Sequence, residues 1–373
     1  MKAIVIAAGL LAMSGTTMGT VVPRVEEKPR IQIAILLDTS NSMDGLIDQA
    51  KTQLWRVVNE LATAKRSGKA PELQVALYEY GNTSIPAETG YVRMVLPLSS
   101  DLDKVSEQLF ALRTNGGDEY CGQVIQYAAK NLAWSSSNAD FKAIFIAGNE
   151  PFTQGGINYQ IACRDAIAKG IIVNTIFCGG NDEGVNTKWK DGADLADGRY
   201  MSIDQNAVAV HVDAPQDKKI AELGAALNQT YIAYGAAGEA SKQRQAEQDV
   251  NASAAAPGAN TQRQLAKASA LYTNEAWDLV DAKKAGTKVE EMKEAELPAE
   301  MKKMNVEARK AYVDAKAKER ERLQAEIKKL NGEREKFVAD EMKKNAASGK
   351  NTLDAAIVKA VREEAAKKNF QFE

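Results

Sequence analysis

The sequence predicts an α/β protein: a doubly wound, mostly parallel sheet of six strands, followed by an α-helical C-terminal region with a short coiled-coil-like seam. Three observations carry this expectation. From Ile31 to Ile203, apolar runs alternate with amphipathic helical patterns. Those runs are continuous rather than alternating, as strands buried on both faces must be. After about Gly235 the strand-like runs disappear, and Ala, Lys, Glu, Gln and Arg dominate. A chain of 373 residues has room for roughly two or three domains.

The first strand is Ile31–Leu37 (IQIAILL). Leu46, Ile47, Ala50, Leu54, Val57, Val58 and Leu61 then recur at helical spacing. Leu73–Tyr80 and Val92–Leu98 read as strands, and Asp101–Leu112 and Gly122–Leu132 as helices. Lys142–Gly148 is a strand, Tyr159–Lys169 a helix and Gly170–Cys178 a strand. Asp191–Asp197 suits a short helix, Arg199–Ile203 a last strand, and Lys218–Leu227 a closing helix.

Beyond this, residues 236–262 read as a linker, centred on the Pro- and Gly-containing stretch Ala252–Thr261. Residues 263–373 read as a helical region. Gln262–Lys284 looks helical, with Leu265, Leu271, Trp277, Leu279 and Val280 as its apolar set. Pro298 can open a further helix, Asn305 can cap the next, and Thr352 can cap the last. Leu323, Ile327, Leu330 and Phe337 form a seam that fades at Lys316, Arg320 and Arg334. It amounts to about two heptads, where a sustained coiled coil needs about three or four. Such a seam closes a helical hairpin, docks on the α/β domain, or joins copies of the chain; a plain solvated face with an apolar seam is the simplest of these readings.

Composition excludes several functions. Lys and Arg total 48 against 50 Asp and Glu, a net charge of −2. No global basic field exists for nucleic acid or an anionic membrane. The single histidine, His211, argues against His-based zinc sites and Ser-His-Asp chemistry. The start resembles a targeting segment: Lys2, the short apolar stretch Ala3–Met13, then small residues where a peptidase could cut, after Gly19. Residues 1–19 are therefore expected to be a bacterial-style signal peptide, and the chain to be exported, periplasmic or secreted. No stable membrane span is expected after cleavage. A buried first strand is the alternative reading of this stretch.

The stretch ILLDTSNSMD, Ile35 to Asp44, carries the chemistry. Asp38 ends an apolar strand, at the edge where open parallel sheets bind ligands. Residues i, i+2 and i+4 of an extended turn can converge, so Asp38, Ser40 and Ser42 offer a carboxylate and two hydroxyls to one point. These are hard oxygen ligands suited to Mg²⁺, with Ca²⁺ or Mn²⁺ as alternatives.

Asp38-x-Ser40-x-Ser42 after such a strand resembles the metal-ion-dependent adhesion site of von Willebrand factor type A (VWA) domains. The resemblance covers about Ile31 to Ile203, within an expected domain of residues 30–235. Gly116-Gly117 before a helix, Ala147 to Pro151 after a strand, and Leu195 to Tyr200 before the last strand support it. It implies a Rossmann-like fold and a metal-dependent protein-binding module rather than an enzyme. Two departures stand out. The family usually has a threonine after the Gly-Gly loop, where this chain has Asp118 and Glu119. It also usually has an aspartate after the fourth strand, where this chain has Gly148. The expectation is that Asp118, or Glu119, restores the second carboxylate of a divalent-ion site. Two anionic ligands would then weaken the attraction for an acidic partner residue. The rival readings are a metal-free scaffold with a degenerate site and a metal-dependent hydrolase.

Asn41, Tyr80, Asn82, Tyr120, Asn149, Glu150 and Phe152 are candidates for a partner-binding rim on the same edge. Packing is the competing explanation for at least half of them. Cys163 and Cys178 are both placed near that edge, so a disulfide between them is geometrically allowed, with Cys121 as a competing partner. Buried free thiols are the alternative.

Overall fold

In the computed structural model, which describes residues 28–204, 206, 211–256, 258–344 and 353–372, Asp38 is the last residue of the central strand. The expected signal peptide and the Thr352 cap lie outside the described residues. The chain runs through β1 (Arg30–Asp38), α1 (Asp44–Leu61), β2 (Ala64–Lys65), β3 (Glu72–Tyr80), β4 (Val92–Ser99), α2 (Leu102–Ala111) and α3 (Cys121–Asn131). It continues through β5 (Phe141–Gly148), α4 (Tyr159–Ala168), β6 (Ile172–Cys178), α5 (Asn181–Asn186), α6 (Trp189–Asp194) and β7 (Tyr200–Ile203). The remainder is α7 (Asp217–Asn228), α8 (Gly238–Ala255), α9 (Ala259–Lys267), α10 (Leu279–Lys284), α11 (Ala299–Lys302), α12 (Val306–Lys344), α13 (Leu353–Ala366) and β8 (Gln371–Phe372).

Six strands form one sheet in the order β4-β3-β1-β5-β6-β7. All neighbours are parallel except β3 and β4. The chain moves outward from β1 in one direction to β3 and in the other to β5. That makes the carboxyl end of β1 a switch point, where the diverging loops leave a crevice. Register places Asp38 beside Tyr80, and Leu37 beside Ala147.

Alternation along β1 sends Ile31, Ile33 and Leu37 into one apolar layer and Ala34 and Leu36 into the other. The second layer is closed by α3 and α4, through Val124, Ile125, Ala128, Ala162 and Ala166. The first is closed by α1 and α2 together with α13, which supplies Leu353, Ile357, Ala360 and Val361. The two-residue strand β8 then pairs with β2, fixing the C-terminus beside the end of α1.

Several expectations are corrected here. The stretch expected as a linker is mostly helix: α8 lies along α2, and α9 packs on α1. Gln262–Lys284 is not one helix. It breaks after Lys267 and resumes at Leu279, because Leu271, Tyr272 and Trp277 turn inward into the main core. The seam residues Leu323 and Ile327 are buried against α7, in the same core as Ile220, Leu223 and Leu227. Self-association through that part of the seam is therefore ruled out by its own fold. α9, α13 and the part of α12 that carries Leu323 and Ile327 share the core of the sheet, whereas Leu279, Val280, Val289, Leu297, Met301 and Val313 form a smaller apolar cluster of their own; Asn305 does cap α12, its side chain accepting from the Ala308 amide at 2.8 Å.

A buried ionic cluster ties these helices down. The Arg263 side chain is fully buried. It donates to Asp103 at 2.6 Å, to Asp249 at 2.6 Å and to the Gln245 carbonyl at 3.0 Å, with the Trp55 ring 4.4 Å away. Lys267 donates to Asp249 and Asn228, and the Tyr272 hydroxyl to Asp103. Burial, only partly offset by Asp249, brings Lys267 down to about 8.

The Cys163–Cys178 bridge is also corrected. All three cysteines are free and buried. Along β6, Val173 and Phe177 face the α3–α4 layer while Ile176 and Cys178 face the other. Cys163 lies in the α3–α4 layer. The sheet itself separates the two sulfurs, and burial pushes the Cys163 thiol up to about 12.

Candidate metal centre

Three loops meet at the switch point, leaving the carboxyl ends of β1, β3 and β5. The loop after α2 joins them. Asn115 donates its amide to the Thr39 carbonyl at 2.9 Å, and Thr83 donates to the Gly116 carbonyl at 2.8 Å. A Cβ on Gly117 would sit 2.7 Å from the Gly81 carbonyl oxygen, so glycine permits this close approach. Asn82, expected on the rim, is instead buried as a strut, donating to the Arg113 carbonyl at 2.9 Å.

Asp38 is fully buried. Its Oδ1 accepts from the Ser40 amide at 2.8 Å, whereas Oδ2 is buried with no hydrogen-bond partner among the described residues. The Ser40 and Ser42 hydroxyls lie 3.1 Å apart, and Asn149 donates to Ser42 at 3.3 Å. The three residues of the Asp-x-Ser-x-Ser turn therefore do converge.

The carboxyl group that the fold brings beside Asp38 is that of Glu119 rather than Asp118. A Cβ on Gly81 would lie 2.8 Å from the Glu119 Cγ and 2.9 Å from the Asp38 Oδ1, so both side chains crowd over that glycine. Asp118 is exposed and turned outward, where it accepts from the Tyr120 hydroxyl at 3.1 Å. Glu119 lies two residues before α3 and is buried, whereas Asp118, one residue earlier, is exposed. Burial pushes Asp38 up to about 7, with the nearby Glu150 charge adding to it and hydrogen bonds from Ser40 opposing it. Burial pushes Glu119 up to about 8, with the charges of Asp38 and Glu150 reinforcing it.

Gly148 has a steric reason. A Cβ there would meet the Tyr80 hydroxyl at 2.5 Å and the Asp38 Oδ2 at 3.0 Å. Tyr80 fills the place an aspartate would occupy, donating to the Ala147 carbonyl at 3.0 Å. Tyr80 is thus buried scaffolding rather than rim. Phe152 is buried too, against Trp189 and Tyr159. Asn41 is exposed, and Tyr120, Asn149 and Glu150 are half-buried at the edge. Gln154 links two loops: its Oε1 accepts from the Glu119 amide at 3.3 Å and its Nε2 donates to Glu150 at 3.2 Å.

The donor set suits a hard divalent ion. Two carboxylates and two hydroxyls face one another, and one buried carboxylate oxygen has no partner. The charge environment agrees: burial raises both acids, Asp38 raises Glu119 further and Glu150 raises both, so the site favours either a proton or a cation.

The family match comes from residues 32–191, which fit the von Willebrand factor type A domain. Among solved structures, the chain is similar to conserved hypothetical protein BatB from Bacteroides thetaiotaomicron at 16% identity, covering 58% of this chain and 98% of that one, with a TM-score of 0.35. It is similar to the SpRpn10 VWA domain at 15% identity, covering 48% and 100%, with a TM-score of 0.36. It is also similar to the pilus adhesin SpaC from Lactobacillus rhamnosus GG at 13% identity, covering 48% and 28%, with a TM-score of 0.36. No curated protein matches the chain.

Proposed function

With residues 32–191 as a von Willebrand factor type A domain, we propose that the chain is a protein-binding module whose docking edge is organised by a divalent ion. Asp38, Ser40, Ser42 and Glu119 would hold the ion, with water completing the shell. The supporting observation is the buried, unpartnered Asp38 Oδ2 beside a second buried carboxyl group. The ion supplies the positive charge that lets both acids ionise together. The chain's own residues do the rest: Ser40 and Asn149 orient the ligands, Gly117 brings the Glu119 loop close, and Tyr80 closes the floor. Mg²⁺ fits the all-oxygen donor set best, with Ca²⁺ and Mn²⁺ as alternatives.

Export belongs to the same reading and rests on Lys2, the apolar stretch Ala3–Met13 and the small residues after it. No described helix is long and apolar enough to cross a membrane. Isothermal calorimetry tests the ion. Wild type should show a saturable response to Mg²⁺ or Mn²⁺ that Asp38→Ala lacks. Identical responses from the two would leave the metal-free scaffold as the reading.

A further inference from the structure

We propose that the partner meets this edge with a basic side chain, a lysine or arginine, rather than with a carboxylate. This rests on the metal centre described above and adds the chemistry of what docks there. Asp38 and Glu119 together balance the charge of a divalent ion. The Glu150 carboxylate acts on both of them and is left over. Asp118 adds an exposed carboxylate on a flanking loop, and Asp44, bonded by Thr114 and acting also on Lys51, adds another at the start of α1. No lysine or arginine is among the main groups acting on Asp38 or Glu119. An incoming carboxylate would meet a surplus of negative charge even with the ion in place, and an incoming ammonium or guanidinium would neutralise it.

The setting of Asp118 has the same preference. The Tyr120 hydroxyl donates to Asp118 at 3.1 Å, so an aromatic ring and an acid stand side by side at the rim. That ring is fixed. Tyr91 packs edge-on against it at 5.8 Å, and a Cβ on Gly155 would touch it at 2.7 Å. A rigid ring beside a carboxylate is the pairing that holds a cationic side chain through its charge and its alkyl stem. Glu150 is fixed too, by the Gln154 amide.

A displayed random-peptide library, selected on the full chain in Mg²⁺ and counter-selected on Asp38→Ala, tests this. The expected survivors carry a Lys or Arg at a fixed position. Fluorescence anisotropy on one survivor should show binding weakened by roughly tenfold or more when that residue becomes Glu, and weakened about severalfold by Glu150→Gln or Asp118→Asn in the protein. Thermal melts confirm that each variant is folded. Survivors with an invariant Asp or Glu, or indifference to the charge swap, would overturn the basic ligand while leaving metal-dependent binding standing. No enrichment over Asp38→Ala would overturn both.

Discussion

The Tyr80 hydroxyl occupies the space above Gly148 that a side chain would need, at 2.5 Å from where a Cβ would stand. Restoring the aspartate that VWA domains usually carry there should therefore fail. Gly148→Asp is expected to destabilise the fold by at least about 1–3 kcal/mol through overpacking, more for a charge set beside Asp38. In a Tyr80→Phe background the added cost should shrink, because the nearest clash is gone. Urea denaturation of the four proteins gives the coupling. Simple additivity would contradict the steric account.

The Arg263 cluster ties α8 and α9 to α2 within the main core. Arg263→Met leaves the buried Asp103 without its ion-pair partner and Asp249 with Lys267 alone, and should cost about 3–5 kcal/mol. Wild type should unfold in one transition seen alike by circular dichroism and by Trp fluorescence. Separate transitions for sheet and helices would show that the helical region is an independent domain after all.

Glu364 supplies a pH signature distant from the metal centre. It is almost wholly buried between α13 and β6, accepting from Asn174 at 3.0 Å, and its Oε1 has no hydrogen-bond partner among the described residues. Burial raises it from 4.5 to about 7. Its protonated form is favoured in the fold, so its contribution is fully present below about 4.5 and is lost as pH rises through about 7. Glu364→Gln should keep the Asn174 contact and flatten stability across that window. An unchanged pH profile in the variant would rule this group out as the source.

The cysteines should behave as reduced, shielded thiols. All three are buried, and burial raises each of them. A thiol reagent should react only as the protein unfolds, and intact mass should be the same with and without reductant. A mass loss corresponding to a disulfide would contradict the placement of Cys163 and Cys178 on opposite faces of the sheet.

Much of this was legible in the sequence, for physical reasons. The strands could be read because burial on both faces makes them continuous apolar runs, as in Phe141–Gly148. The Asp-x-Ser-x-Ser turn could be read because its spacing alone sets the convergence. What failed depended on distant contacts. The break after Lys267 exists because Tyr272 turns inward to reach Asp103, far away in sequence. The choice between Asp118 and Glu119 depended on the turn into α3, which neighbouring acids do not reveal. The cysteine pairing missed a strand parity that was present: Cys178 alternates with Phe177, which packs on the same side as Trp189. Tyr80 stood in plain view at a strand's end, yet only the structure shows that it replaces the side chain missing at Gly148.

The central claim is that Glu119 partners Asp38 around a divalent ion while Asp118 does not. Mn²⁺ binding followed by electron paramagnetic resonance, on wild type, Asp38→Ala, Glu119→Gln and Asp118→Asn, tests it most directly. The account predicts saturable binding in wild type and Asp118→Asn, weakened by roughly tenfold or more in Glu119→Gln and lost in Asp38→Ala. Binding that survives Glu119→Gln but fails in Asp118→Asn, or that is absent from wild type, would contradict it.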